Sequence, residues 1–397
     1  MVDLLDARGY EILVKAFSEH PVTIKYLGAV KTEHPKVKYD EDPYVVSCVV
    51  GQRFTGQYSV VLKDSGIRKS GLKVLLEAEQ ETEVSIAACG EELGTYLVGT
   101  KGQEKILDLT RVCRKEREYL ERIHRILYML LGEVDRICRK YDLRYFLVFG
   151  GLLGSLRHGD IIPWDDDIDI AMTRNDFEQF QRIAPKELGA DFGYLHCSEL
   201  GGGVFLDFMC RVLYMKEEVP GNVFRKASGK CHKELENHLP LDIFILDRAF
   251  DHPWMHKFQM LLVRGVYGLG MGHRAVFSKE EYDCRDRMTQ ISVRVLSTFG
   301  KLLPVSFIFW LHDKVSTMNQ QKETKDFFMS NGFLPFIHTR YSCKWFETSS
   351  VVQLGEMQVQ APADVEAYLK RAYYDYYHYP PVDKRIPEHS PDAKGVF

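Results

Sequence analysis

Four carboxylates stand within five residues, at Asp165, Asp166, Asp167 and Asp169. On a β-strand, side chains at positions i and i+2 point to the same face, with their Cα atoms roughly 6 to 7 Å apart. Asp167 and Asp169 would then converge on one point, and Mg²⁺ prefers such oxygen ligands. If the strand extends backwards, Asp165 becomes a further metal ligand, whereas Asp166 faces the other way and is structural.

A solvated acidic loop is the simpler explanation of such a run. Like charges at this spacing repel one another unless a cation compensates them. Here they adjoin the apolar residues Ile168, Ile170 and Met172, as in a buried strand. We therefore favour a metal site over a solvated turn, with Mg²⁺ as the ion and Mn²⁺ as an alternative.

Two glycines, Gly150 and Gly151, follow the apolar run Tyr145–Phe149. Glycine lets the backbone approach a phosphate, and the N–H groups that open a helix point at a bound anion. The pair lies about fifteen residues before the carboxylates, so we expect both features at one edge of a sheet. Arg157 and His158, in the same connection, could neutralise phosphate oxygens, with a surface salt bridge as the alternative for each.

A third carboxylate is needed to complete a two-metal site or to act as a general base. Asp242 lies inside the apolar run Leu239–Ile245, where an unpaired charge is costly, and it is our preferred candidate for catalysis and metal binding. Asp207 has similar neighbours and is the rival.

The elements that position these residues fall into three parts. Short β-branched runs predict a small antiparallel β domain over residues 1–109, and apolar residues three and four apart predict a linking helix over 110–142. Residues 143–397 form the catalytic part. Its predicted strands cover 145–149, 165–172, 204–214, 241–246 and 351–359, and its predicted helices cover 175–184, 254–272, 279–298, 303–319 and 364–374.

Composition excludes several classes of protein. The 397 residues are 45% hydrophobic and 27% charged, as in an ordinary globular protein of two domains. A net charge of -4 makes nucleic acid an improbable partner. The N-terminus shows no secretory signal, so we expect a cytoplasmic protein that could lie at the inner face of the membrane.

The most apolar run, Leu302–Leu311, is about half the length that a membrane-spanning helix needs. A buried core helix is the favoured interpretation, and peripheral membrane contact or binding of a lipid-linked acceptor is the alternative. The nine cysteines include no C-x-x-C pair, which predicts reduced, buried thiols. A zinc site combining Cys231 and His232 with the distant His196 and Cys197 is a less favoured alternative.

The stretches Phe149–His158 and Ile162–Ile170 together closely resemble the signature of the LicD family, which is related to fukutin and fukutin-related protein. The resemblance covers residues 115 to 390. It implies an α+β fold with a nucleotidyltransferase-like mixed sheet flanked by helices, which the small β-rich N-terminal domain precedes. This chain has Gly151 and Arg211 where members of the family often have Thr and Lys.

The family includes phosphocholine transferases that act on teichoic acid and lipopolysaccharide. The resemblance therefore implies transfer of phosphocholine or a phosphopolyol from a CDP-linked donor to a glycan or lipid-linked polymer. It also implies that Asp242 serves the metal and that Arg385 and His389 contribute to substrate binding. Because the family's Lys is replaced here, Arg211 and Lys344 are both candidates for the donor-binding cation.

Three other functions stay open at this point. The same carboxylates would suit nucleotidyl transfer from a nucleoside triphosphate, and the fold could also bind glycan without turnover. In the third, the N-terminal β domain carries the main function by docking a partner enzyme. The sequence does not fix the oligomeric state.

Overall fold

The computed structural model describes residues 10–17, 19–29, 48–62, 71–88, 91–108, 114–199, 205–219, 238–274, 286–376 and 387. The chain divides into two compact units. The first comprises residues 1–122, 160–165 and 375–387, and the second comprises 123–159, 166–374 and 388–397. Each unit is described by itself.

The first unit contains two antiparallel sheets. One has the strand order β5-β1-β7-β8; in the other the order is β3-β2-β6-β9, and β4 also pairs with β2. The strands are β1 (Tyr10–Ala16), β2 (Val22–Ala29), β3 (Cys48–Val49), β4 (Gln52–Phe54), β5 (Gln57–Leu62), β6 (Gly71–Ala78), β7 (Thr82–Ala88), β8 (Glu91–Val98) and β9 (Gln103–Asp108).

The apolar side chains of both sheets form one core. In β7, burial alternates along the strand, as expected when one face of a sheet packs inward. Ile12, Val22, Ile24 and Val84 are fully buried in this cluster. The β-branched runs of the sequence therefore do form strands that pack on a shared core.

A helix of 27 residues, α1 (Arg114–Lys140), follows the sheets. Leu127, Leu130, Leu131, Val134 and Ile137 recur at three and four residues and are fully buried. The periodicity therefore does correspond to a helix, which ends at Lys140, two residues before the predicted end. The predicted residues before Arg114 lie outside the described part of the chain.

The second unit is built on a mixed sheet with helices, which confirms the α+β class. The strand order is β10-β11-β14-β13-β12, and β15 pairs with β14 and β16. Only β11 and β14 are parallel within this sheet as described. The strands are β10 (Phe146–Val148), β11 (Asp169–Thr173), β12 (Phe192–Leu195), β13 (Cys210–Tyr214), β14 (Pro240–Arg248), β15 (Asp326–Met329) and β16 (Tyr341–Ser342), and a separate hairpin consists of β17 (Ser349–Leu354) and β18 (Met357–Pro362).

Seven further helices belong to this unit. None of the helices in the described part of the chain is both long enough and apolar enough to cross a membrane. They are α2 (Phe149–His158), α3 (Arg174–Glu187), α4 (Pro253–Gly270), α5 (Arg287–Gly300), α6 (Val305–Ser316), α7 (Lys344–Glu347) and α8 (Val365–Tyr373).

Several predicted elements are wrong in extent. The strand predicted over 165–172 begins only at Asp169, opposite Val148, where its partner strand β10 ends. The strand predicted over 204–214 begins at Cys210. The run 351–359 belongs to a hairpin, which turns at Gly355 with a φ of 57°. Strand β15 was not predicted.

The run Leu302–Leu311 is not a buried core helix throughout. Ile308 is fully buried and Phe309 is 9% exposed, but Leu302 is 78% and Trp310 53% exposed. Helix α6 therefore packs through one side only.

A buried ion pair joins the start of α3 to the end of β14. Arg174 donates to both carboxylate oxygens of Asp247, through Nε at 2.8 Å and Nη2 at 2.5 Å. Asp247 is fully buried, and burial would lower the pKa of Arg174, but the charge of Asp247 outweighs it and raises that pKa. Such a bidentate pair fixes the end of β14 against α3.

Candidate active site

Burial alternates along the acidic run even though the strand starts late. Asp165, Asp167 and Asp169 are partly exposed, whereas Asp166 is 1% exposed. Apolar Ile168 and Ile170 are also buried. The chain therefore separates the three candidate metal ligands from Asp166, as the two-residue period of the sequence predicts. The strand itself begins at Asp169, so the expectation that Asp165 and Asp167 lie within it is wrong.

Asp169 lies beside Asp242 in the sheet. The two residues are direct partners across the parallel strands β11 and β14, and Asp242 is in turn the partner of Arg211 on β13. Neighbouring strands are about 4.8 Å apart, and paired residues share a face. The sheet thus aligns two carboxylates and a guanidinium in one row, from segments that are distant in sequence.

Arg211 is held between two carboxylates. Its Nη2 and Nη1 donate to the two oxygens of Asp207 at 2.7 and 3.0 Å, and its Nε is 2.9 Å from Oδ1 of Asp242. Arg211 is 2% exposed, and burial would lower its pKa, but the charges of Asp207 and Asp242 outweigh this and raise it. The guanidinium is therefore a fixed positive charge in the row.

The two aspartates that were rivals in the sequence thus occupy one arrangement. Asp242 belongs to the row with Asp169, whereas Asp207 binds Arg211 from the connection that precedes β13. Sequence patterns showed that both lie in apolar runs, but nothing in them showed that both contact one arginine. Their separation in the chain conceals the contact.

The two glycines open helix α2 without an intervening loop. Val148 is the last residue of β10 and pairs with Asp169, so the helix begins at the same sheet edge as the carboxylates. No side chain caps this helix, and its first turn has no acidic residue. The N–H groups of such a first turn, which includes Gly150 and Gly151, suit an anion.

The junction between β10 and α2 has an unusual backbone. Phe149 has a φ of 47°, a backbone angle that residues other than glycine seldom adopt. Its ring packs edge-on against Phe244 of β14, with 5.0 Å between ring centroids, and lies 6.2 Å from that of Tyr368 on α8. These contacts hold the strained turn that directs the helix start towards the carboxylate edge.

Other predicted site residues lie elsewhere. Arg157 and His158 are in the last turn of α2, and at 1.5 Å per residue they are about 10 Å along the axis from Gly150 and Gly151. They therefore lie in the same connection as the glycines, as predicted, but at the far end of its helix. Arg385, His389, Cys231 and His232 lie outside the described residues.

The described site has chemistry suited to a cation and a phosphate. Asp165 belongs to the first unit, so its part in the site stays a prediction from the sequence. Asp167 and Asp169 offer hard oxygen ligands, which are the ligands that Mg²⁺ prefers. Beside them are the helix N-terminus and the row that Asp242 and Arg211 complete. An acidic edge next to an anion-binding helix start can hold a diphosphate through a divalent cation.

A family model described as the LicD/FKTN/FKRP nucleotidyltransferase domain matches residues 142–205. This segment runs from the residues before β10, through α2, β11 and α3, to the connection that contains Asp207. It therefore includes both glycines and all four aspartates of the acidic run.

Curated relatives are similar over short segments. An uncharacterised protein of Rickettsia typhi is 33% identical over 109 residues, which are 25% of this chain and 35% of the relative. The lipopolysaccharide cholinephosphotransferase LicD of Haemophilus influenzae is 41% identical over 51 residues, 13% of this chain and 19% of that protein. The human ribitol 5-phosphate transferase FKRP is 44% identical over 48 residues, 12% of this chain and 10% of that protein. The chain thus matches about a third or less of each relative's length.

Proposed function

Because the chain belongs to the LicD family through residues 142–205, we propose that it transfers a phospho-substituent from a CDP-linked donor to a hydroxyl group of a glycan or lipid-linked polymer. Phosphocholine and phosphopolyols are the candidate substituents, since the named relatives are a cholinephosphotransferase and a ribitol 5-phosphate transferase. The observation that carries the proposal is the row of Asp169, Asp242 and Arg211 next to the start of α2.

The donor set at the acidic edge fits a magnesium ion. Asp167 and Asp169 would hold it, because their carboxylates lie on the exposed side of an alternating segment. When bound, Mg²⁺ or Mn²⁺ neutralises the diphosphate and the charge that develops on the leaving CMP.

The remaining steps belong to side chains and backbone of this chain. The N–H groups of the first turn of α2 position the diphosphate. The acceptor oxygen attacks the phosphorus that carries the substituent, the bond from that phosphorus to the CMP oxygen breaks, and Asp242 accepts the acceptor's proton. Arg211 orients Asp242 and adds a positive charge near the phosphates.

The experiment measures CMP released from CDP-choline, CDP-glycerol and CDP-ribitol with Mg²⁺. We expect turnover of one of these donors, which chelator abolishes, and a loss of about a hundredfold or more in Asp167→Asn and Asp169→Asn. Asp191→Asn is the matched control, because Asp191 forms a surface ion pair with Lys216 and should leave turnover unchanged.

Binding of Mn²⁺, followed by electron paramagnetic resonance, tests the ligands without turnover. Both site variants should weaken it, and the Asp191 variant should not. Consumption of a nucleoside triphosphate in place of every CDP donor would replace the proposal with nucleotidyl transfer. Glycan binding without turnover of either donor class would show that the protein recognises glycan and is not a transferase.

A further inference from the structure

Two buried thiols and an imidazole meet beside the site, at the open ends of β12 and β13. His196 and Cys197 directly follow β12, and Cys210 opens β13. One ligand atom from each residue lies within 4.8 Å of the other two. Both cysteines are buried, and neither belongs to the acidic edge described above.

The separation of the two sulfur atoms matches a tetrahedral metal centre. Sγ of Cys197 and Sγ of Cys210 are 3.8 Å apart. Two thiolates at a Zn–S distance of about 2.3 Å, with a tetrahedral angle between them, are about 3.8 Å apart. A disulfide would require about 2.05 Å between the same atoms.

The imidazole of His196 is held by its own turn through one ring nitrogen. Nδ1 is 2.6 Å from Oγ of Ser198 and accepts from the backbone N–H of Ser198 at 3.2 Å, so Nε2 is the ring nitrogen that is left to bind a metal. Zinc binds cysteine as the thiolate.

We propose that His196, Cys197 and Cys210 bind one zinc ion, with water in the fourth position. Soft thiolates and imidazole select zinc, whereas the acidic edge suits magnesium. The ion would join the two ends of the connection that carries Asp207, the residue that binds Arg211. The proposed zinc site is separate from the acidic edge, and it does not depend on the proposed transferase activity.

Metal content of the full chain, purified without chelator after growth with added zinc, tests the proposal. We expect about one zinc per chain in the wild type, and about a tenfold lower content in His196→Gln and Cys210→Ser. Cys343→Ser is the matched control, because Cys343 is a buried thiol outside the cluster, and it should retain the zinc.

A measurement on the wild type alone tests the site even if the variants fail to fold. Titration of the zinc-free chain with Co²⁺ should give thiolate-to-cobalt charge-transfer absorption, which added Zn²⁺ removes. Absence of that absorption, or zinc content unchanged in both variants, would overturn the proposal. A Cys197–Cys210 disulfide found by peptide mapping in the protein as purified would assign the pair to redox chemistry instead.

A second, independent observation concerns an exposed apolar stripe on α5. Met288, Ile291, Val295 and Phe299 are 74%, 53%, 48% and 59% exposed. Their spacing of three, four and four residues places them on one helix face. Leu302, 78% exposed, follows the helix at the same spacing. A monomer rarely leaves such a stripe uncovered.

The charges along this stripe have one sign. Arg287, Arg294 and Lys301 each directly precede a stripe residue, and the sequence contains no Asp or Glu from Arg287 to His312. The neighbouring helices also expose aromatic side chains, among them Trp254 on α4 and Trp310 on α6. An apolar face bordered by basic residues is typical of helices that lie in a membrane interface.

We infer that α5 docks on an anionic lipid surface. The occupant follows from charge complementarity, because the charged residues within α5 and the run after it, Arg287, Arg294 and Lys301, are all basic, and the acidic Asp286 lies outside the helix at its N-cap. This inference does not need the transferase activity. Half of the residues in the apolar run Leu302–Leu311 are exposed. In this arrangement the run would lie at the surface of the bilayer and would not span it.

Sedimentation with vesicles tests this docking. The full chain should bind vesicles of phosphatidylcholine with about 30% phosphatidylglycerol, and bind pure phosphatidylcholine about tenfold less. The double substitution Ile291→Glu with Phe299→Glu should remove the difference. Leu97→Glu is the control, since Leu97 is 55% exposed on β8.

Equal binding by wild type and double variant would overturn the lipid assignment, as would no binding to anionic vesicles. A dimer in light scattering that the same substitutions dissociate would assign the stripe to a second copy of the chain. Because the substituted side chains are exposed, both variants should fold, and circular dichroism checks this.

Discussion

Two aspartates on one strand have opposite roles. Asp242 and Asp247 both lie in β14, but Asp242 is partly exposed in the row with Asp169, whereas Asp247 is fully buried against Arg174. A substitution at each position should therefore change a different property of the protein.

We expect Asp242→Asn to reduce CMP release by about a hundredfold with little change in the free energy of unfolding. Asp247→Asn should lower that free energy by about 3 kcal/mol, because it removes the bidentate partner of the buried Arg174 and leaves that charge only its 3.2 Å contact with Asp313. Urea unfolding and turnover per folded molecule separate the two effects. Equal loss of stability in both variants would contradict this division.

Even a conservative substitution of Arg211 should impair turnover. Its guanidinium contacts Asp207 and Asp242 through different nitrogen atoms, and a single ammonium group cannot reproduce that fork. We expect Arg211→Lys to lower turnover by at least about tenfold. Arg125→Lys is the control, because Arg125 forms an exposed pair with Glu217 and should change neither turnover nor stability. Normal turnover in Arg211→Lys would show that charge alone is sufficient.

Among the helices, α4 and α5 approach each other closely at Gly300. A Cβ at that position would collide with the carbonyl oxygen of Leu269, which is backbone and cannot move aside cheaply. We expect Gly300→Ala to destabilise the protein by about 1 to 3 kcal/mol.

Gly265→Ala is the matched control in α4. A Cβ there meets nothing within 4 Å, so the better helix propensity of alanine should stabilise the protein by up to about 1 kcal/mol. Thermal unfolding distinguishes the opposite signs. Stabilisation by both substitutions would mean that the two helices separate readily.

Helix α6 carries a buried histidine that links stability to pH. His312 stacks on Phe208 with 3.7 Å between ring centroids, and its Nε2 is 3.0 Å from the carbonyl oxygen of Ser330. Burial lowers its pKa from 6.5 to about 4. The unfolded chain therefore takes up this proton first as the pH falls.

The contribution of His312 to stability is complete above pH 6.5 and is lost as the pH falls from 6.5 to about 4. The pKa shift corresponds to a loss of roughly 3 kcal/mol in the free energy of unfolding. Urea unfolding at several pH values should show this slope in the wild type, and His312→Asn should lack that part of it. Identical slopes in both proteins would contradict the assignment.

The elements and the site differ in how far the sequence predicts them. The sequence patterns of α1 and β14 were sufficient to predict a helix and a strand, because each pattern depends only on residues close together in the chain. The alternating exposure of Asp165, Asp167 and Asp169 was also predictable from the two-residue period of extended backbone. The start of β11 was not, since it depends on where the partner strand β10 ends.

Contacts between distant segments were beyond sequence reasoning. Arg211 between Asp207 and Asp242, and the meeting of Cys197 with Cys210, both depend on how β12, β13 and β14 pair. The sequence indicated only which residue types could take part, namely two aspartates in apolar runs and thiols near a histidine. The order of the strands in the sheet was needed to show which of these residues contact one another.

The molecule as a whole has two units, each with its own buried apolar residues. Ile86 is 1% exposed in the core of the β-rich unit. We expect Ile86→Ala to lower the unfolding free energy of that unit by about 2 to 5 kcal/mol. Calorimetry should show one transition moved to lower temperature and the other unchanged, with CMP release preserved below the first transition. A single transition that moves together with the loss of turnover would show that the units unfold as one.

The parallel pairing of β11 with β14 also sets an order of events during translation. Arg174 and Asp247, which join these strands' ends, are 73 residues apart in the chain. Contacts over such separations form slowly because a long loop must close first. A nascent chain that ends before β14 would contain Asp169 on an uncovered strand edge, which is prone to aggregation. Ribosome pausing before residue 248, or truncation there, should therefore expose the chain to proteases and chaperones.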